Sequence, residues 1–191
     1  AAQAQAANVP PMWEQDAATA RAGAEVSFQA FNAPMPEGVT ITDRSVPGPA
    51  GQIPVKVFRP SGAGTLPHLV FLNGGGWVIG SIDDYLTLGR HLAARTQSVV
   101  VLAGYRLAPE HRYPTAPNDC WDALKWVDSN IELLAGRRVP LIVAGDSAGG
   151  NLAAVVAQRA KQEGAPKLSL QVLVYPVTDG AMDTASHSDP A

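Results

Sequence analysis

The stretch Leu141-Ile142-Val143-Ala144-Gly145-Asp146-Ser147-Ala148-Gly149-Gly150-Asn151-Leu152 decides the fold. Its first four residues are apolar, as a short strand buried on both faces of a parallel sheet requires. Gly145 and Gly149 then bracket Ser147 in the spacing G-x-S-x-G, and the Ala-rich apolar run that follows is long enough for a buried helix. A strand, a tight turn and a helix with serine at the apex form a nucleophile elbow. Such a turn is strained, and the residues beside the serine have no room for a Cβ, hence the two glycines. The hydroxyl is lifted above the sheet at the positive end of the following helix.

Two other readings share these letters. A glycine-rich strand-to-helix turn without chemistry is one. A chymotrypsin-like protease, which carries Gly-Asp-Ser-Gly-Gly-Pro, is the other, but that fold is all-β and lacks an Ala-rich helix after its serine. The local context here is strand, turn, helix.

Outward from the elbow, strand-like and helical runs alternate. Residues 39–46 and 53–58 read as a hairpin joined by Pro47-Gly48-Pro49-Ala50-Gly51 and set at a sheet edge, where Pro54 is tolerated. Residues 68–72 are a short apolar strand that runs directly into Asn73-Gly74-Gly75-Gly76-Trp77. Tyr85, Leu88 and Leu92 recur at helical spacing within residues 83–96, and residues 98–103 form the next buried strand. An amphipathic helix over residues 118–129 places Cys120, Ala123, Leu124 and Val127 on one face, with Ile131 continuing it. A last strand over residues 168–175 stops at Pro176. This alternation implies right-handed βαβ units, hence an α/β fold with a mainly parallel sheet and helices on both faces.

Residues 1–36 are set apart as an N-terminal helical segment, lid-like or packed on the surface, ahead of a domain over residues 37–191. The helical pattern runs through Met12, Ala17, Ala20, Ala24, Phe28 and Phe31 and ends at Pro34 and Pro36. The Ala/Gln-rich start resembles what borders a signal-peptidase site. A periplasmic or secreted location therefore stands open beside a cytoplasmic one. Residues 181–191 are polar and carry no periodic pattern.

Composition narrows the function classes. With 46% apolar and 16% charged residues in 191, the chain can bury a sizeable core. The net charge of −3, with no basic run, gives no footing for a nucleic acid or an anionic membrane. No apolar run approaches the roughly 18 residues of a membrane span. Cys120 is the sole cysteine, so neither an intrachain disulfide nor a cysteine-based zinc site can form, and the thiol reads as buried and structural. No ligand cluster calls for a metal or cofactor.

Three motifs stand in one order: Asn73-Gly74-Gly75-Gly76-Trp77, then Tyr105-Arg106-Leu107-Ala108-Pro109-Glu110, then Gly145-Asp146-Ser147-Ala148-Gly149-Gly150. Together they closely resemble the hormone-sensitive-lipase-like (bacterial family IV) carboxylesterases of the α/β-hydrolase fold, over residues 39–179. The resemblance implies ester hydrolysis with Ser147 as nucleophile on short-chain acyl esters. It assigns the oxyanion hole to the N–H groups of Gly75, Gly76 and Ala148, with Trp77 packing the loop. It casts Gly74 and Asp146 as loop support, and Arg106 and Glu110 as a pair bracing the site loops. The family usually carries histidine where this chain has Asn73. Asparagine donates and accepts at similar reach, so a somewhat less organised loop is expected rather than its loss.

Serine needs a histidine to take its proton, and the histidine needs a carboxylate. In this fold the order is serine, acid, histidine, and in the resembling family both partners fall well beyond the length that follows Ser147 here. Neither His68, His91 nor His111 is placed to be the base, and His187 with Asp189 reads as a solvated tail. The resemblance therefore implies an incomplete hydrolase domain whose last strands, acid and histidine lie outside these residues. Such a domain leaves an apolar sheet edge for self-association or for a companion C-terminal fragment. The competing readings are a catalytically inactive hydrolase that binds an acyl-like ligand or a partner, and a serine peptidase on the same fold.

Overall fold

The computed structural model describes residues 10–30, 33–48, 51–62, 64–181 and 183–185. A 3-10 turn (Met12–Glu14) precedes α1 (Ala17–Gln29), then β1 (Val39–Gly48), β2 (Gly51–Pro60), β3 (His68–Leu72), α2 (Leu86–Thr96), β4 (Val99–Ala103), α3 (Thr115–Ala135), β5 (Leu141–Asp146), α4 (Ala148–Glu163) and β6 (Leu170–Val174). The six strands lie in the order β1-β2-β4-β3-β5-β6. β1 pairs antiparallel with β2 and β2 with β4, whereas β4, β3, β5 and β6 are mutually parallel. The fold class expected from the alternation is therefore the one observed.

Side-chain alternation along the central strands divides the core in two. Val70 and Leu72 of β3, Val99 and Val101 of β4, and Leu141 and Val143 of β5 face Trp121, Leu124 and Val127 of α3 and Leu152 and Val156 of α4. Leu69, Phe71, Val100, Leu102 and Ala144 face the other way, onto Ala93 of α2, Tyr85 and Phe28 of α1. Cys120 is fully buried in the first layer, where burial pushes its thiol pKa up, so it packs as a small apolar group.

Three local expectations are corrected. Pro54 is not on an edge strand: β2 sits between β1 and β4, and Pro54 stands one position past the last β2–β4 pair, Val55↔Ala103. Its carbonyl still accepts from Gly104 N at 2.9 Å, so the missing N–H forgoes only a bond at the end of the ladder. The helix expected over residues 118–129 runs Thr115–Ala135, because Pro117 lies in its first turn, where no N–H is required, and Gly136 in the left-handed region (φ 78°) closes it by donating to Glu132 O. The helix expected from residue 83 begins at Leu86, which frees Tyr85 to turn toward the site.

Candidate active site

The carboxyl ends of β3 and β5 are adjacent, pairing Leu72 with Gly145. The two loops that leave them are thus side by side, at the end of a parallel sheet where ligands bind. Ser147, between β5 and α4, has φ 51° and ψ −119°. Three backbone bonds hold it there: Ser147 N donates to Val174 O at 2.9 Å, and Ser147 O accepts from Asn151 N at 3.0 Å and Val177 N at 3.1 Å. A Cβ on Gly145 would strike the Gly149 carbonyl, and one on Gly149 would strike the carbonyl oxygens of Leu72 and Asn73. The elbow is pressed against the start of the glycine loop.

That loop is a tight turn in its own right. Gly75 has φ 119°, and its carbonyl accepts from Val78 N at 3.0 Å and Ile79 N at 2.9 Å. Gly75, Gly76 and Ser147 line one cavity of about 570 Å³, whose remaining wall includes Met12, Gln15, Ala17 and Ala20 of the N-terminal segment. Ala148 is fully buried and is absent from that lining; as the first residue of α4 its N–H has no intrahelical acceptor. Trp77 packs against the α3–α4 layer.

Polar side chains tie the loops from below. Asp146 turns away from the serine: Oδ1 accepts from Gly74 N at 3.0 Å and Oδ2 from Tyr85 Oη at 2.9 Å, while Gly74 N also approaches Tyr85 Oη at 3.1 Å. Burial and the Asp146 carboxylate raise the Tyr85 pKa, so the phenol stays protonated and keeps donating. Asn73 is buried, its Nδ2 donates to Gly74 O at 2.9 Å, and its carbonyl accepts from Tyr105 Oη at 2.8 Å.

Arg106 and Glu110 do not pair with each other. Arg106 grips the buried Asp119 of α3 through Nε at 2.9 Å and Nη2 at 2.7 Å, with its own N–H at 3.0 Å. Glu110 pairs instead with Arg21 of α1 at 2.7 Å. Each residue braces the turn, but to a different helix. Arg21, Tyr85, Tyr105 and Asp119 carry no role in the sequence reading, because their partners are distant in the chain and no local pattern announces them.

No histidine of the described residues lines the serine cavity. His68 opens β3, at the opposite end of the sheet from Ser147, and is fully buried. His91 lies on α2, in a groove shared with Asp146 and Tyr175. His111 lines a different cavity, together with Gly76, Trp77 and Asn151. His187 and Asp189 fall outside the described residues, as do Ala1 to Val9 and Phe31. Among the described residues no three His, Cys, Asp or Glu side chains cluster closely enough for a metal ion, and no helix is long and apolar enough to cross a membrane.

A serine elbow at the end of a central parallel strand, facing a glycine loop from the neighbouring strand, defines a hydrolase of the α/β class. A family model for the alpha/beta hydrolase fold matches residues 69–191. LipN, a carboxylic ester hydrolase of Mycobacterium tuberculosis, is 46% identical over 157 residues, which cover 78% of this chain and 41% of LipN. The ethyl acetate hydrolase of Pseudomonas putida is 38% identical over 185 residues, covering 92% of this chain and 57% of its own length. The crystal structure of LAE6, an α/β-hydrolase enzyme from the metagenome of Lake Arreo, aligns with a TM-score of 0.89 at 34% identity, over 97% of this chain and 59% of its own. The chain belongs to the alpha/beta hydrolase family, in its hormone-sensitive-lipase-like branch. It spans about half the length of the curated relatives it matches.

Proposed function

We propose that this protein hydrolyses short-chain acyl esters through an acyl-enzyme on Ser147. One observation carries the reading: Ser147, Gly75 and Gly76 share a single cavity of about 570 Å³. Ser147 Oγ bonds to the ester carbonyl carbon, its proton passes to a general base, and the carbonyl electron pair moves onto oxygen. The N–H groups of Gly75, Gly76 and Ala148 donate to that oxyanion. Collapse expels the alcohol, which leaves with the proton and leaves the acyl group on Ser147. Water then attacks the same carbon and regenerates the serine.

The base and its carboxylate are expected from chain beyond these residues, in the order serine, acid, histidine. Asn73, Gly74, Asp146, Arg106 and Glu110 serve by fixing the loops. The esterase names of the relatives favour ester over peptide substrates, and the ethyl acetate hydrolase favours short acyl groups. The outer edge of β6 is where a companion segment, or a second copy of the chain, would pair.

The test is hydrolysis of p-nitrophenyl acetate and butyrate by the full-length protein, beside a peptide amide. Ser147→Ala is expected to lower the ester rate by on the order of a thousandfold or more, with the amide left intact by both proteins. A mutant that keeps the wild-type ester rate sinks the reading, and a wild type that binds these esters without turnover favours the inactive, ligand-binding one.

A further inference from the structure

Arg21 lies on α1, outside every motif in the sequence, yet its guanidinium reaches both loops beside the serine. Nε donates to Val78 O at 2.8 Å, and Nη2 donates to Ala108 O at 2.9 Å. Nη1 and Nη2 also engage the two carboxylate oxygens of Glu110, at 2.9 and 2.7 Å. Val78 belongs to the same tight turn as Gly75, since its N–H donates to Gly75 O. Ala108 N in turn donates to Trp77 O at 2.9 Å, so the glycine loop and the Tyr105–Glu110 turn are already linked. Arg21 closes that link from the third side, and Ala17 and Ala20 of the same helix form part of the cavity wall.

We propose that Arg21 is a positioning residue for ester hydrolysis: it clamps the Val78 and Ala108 carbonyls to α1, fixing the oxyanion loop and seating α1 as a wall of the substrate cavity. This rests on the ester-hydrolase reading above. The ion pair alone does not account for the arrangement. Glu110 is half exposed, and an ion pair so open to water contributes little to stability. What the guanidinium adds is a planar fork that meets four acceptor atoms on two loops at once, which an ammonium cannot do. The Arg21 guanidinium holds the Glu110 carboxyl at about 2, so both groups stay charged throughout the pH range of an esterase assay.

The test compares kcat, KM and melting temperature in the full-length protein for Arg21→Met, Arg21→Lys and the exchange Arg21→Glu with Glu110→Arg. Misplaced donors cost far more in rate than in binding, so Arg21→Met is expected to lower kcat about tenfold to a hundredfold while KM changes less than about threefold. Arg21→Lys should recover part of the loss. The exchange restores opposite charges but places a carboxylate against two carbonyls, so kcat is expected to stay low. A wild-type kcat in Arg21→Met, or an exchange that restores kcat together with stability, overturns the proposal. Where Arg21→Met yields no folded protein, Arg21→Lys carries the test: a kcat down about threefold or more at an unchanged melting temperature supports the clamp, and an unchanged kcat overturns it. Ser147→Ala is run alongside. If that variant keeps its rate, the ester-hydrolase reading fails whatever Arg21 does; if it is inactive while the Arg21 variants match wild type, only the clamp fails.

Discussion

At Ser147 the backbone occupies a conformation that L residues rarely adopt, at a cost of about 1–3 kcal/mol. It persists because its environment over-determines it: β6 and the chain after it fasten both the N–H and the carbonyl, and Gly149 lets the helix start slide under the β3 carbonyls. Gly149→Ala sets a methyl group against two backbone oxygens that cannot retreat without pulling the glycine loop with them. We predict a loss of about 1–3 kcal/mol in denaturant unfolding and, from displacement of the loop, a fall in kcat on the order of a hundredfold. A variant of wild-type stability and rate would show that the elbow is not packed as described. Serine, its flanking glycines and the loop glycines were readable in the sequence because their constraints are local. Tyr85 was not: spacing marks it as an apolar helix position, and only the fold brings its hydroxyl to Asp146, 61 residues away.

Among the elements, β3 is one of two strands, with β4, whose five residues are all buried and which pair on both sides. It begins with His68, whose Nδ1 lies 3.2 Å from Leu66 O while Nε2 is buried with no partner among the described residues. Burial lowers the His68 pKa from its ordinary 6.5, so the folded ring stays neutral at a pH where the unfolded ring takes up a proton. The unfolded state then binds more protons, and stability falls as pH drops below 6.5 toward the folded-state pKa; above 6.5 the contribution is fully present. Urea unfolding at about pH 7.5 and about pH 5 should show His68→Leu losing less stability between the two than wild type does. Equal losses would mean that His68 does not titrate with folding. The Arg106–Asp119 pairing shows what element-level reading misses. The Tyr105–Glu110 motif is visible in the chain, but its anchor on α3 lies 13 residues on, and the sequence gives no reason to choose Asp119 over Glu110.

For the whole molecule, the parallel strands and the two-layer core follow from alternation of strand and helix periods. The outer edge does not end in the same way. β6 is exposed along its whole length, with Leu170 54% and Val172 39% accessible, in a strand type that is ordinarily covered on both faces. An uncovered apolar edge recruits another chain. The isolated 191-residue chain is therefore predicted to self-associate in sedimentation velocity, and Val172→Lys to shift it toward monomer. A chain that stays monomeric at all concentrations would contradict this account of the edge.

If Ser147 carries the acyl group, the acyl-enzyme can be trapped before water cleaves it. Full-length protein mixed with p-nitrophenyl acetate, quenched in acid during the burst and mapped by mass spectrometry, should carry one acetyl group on the peptide containing Ser147. Ser147→Ala should carry none. Steady hydrolysis by the wild type with an unmodified Ser147 peptide, or acetyl on another residue at the catalytic rate, would contradict Ser147 as the acyl carrier.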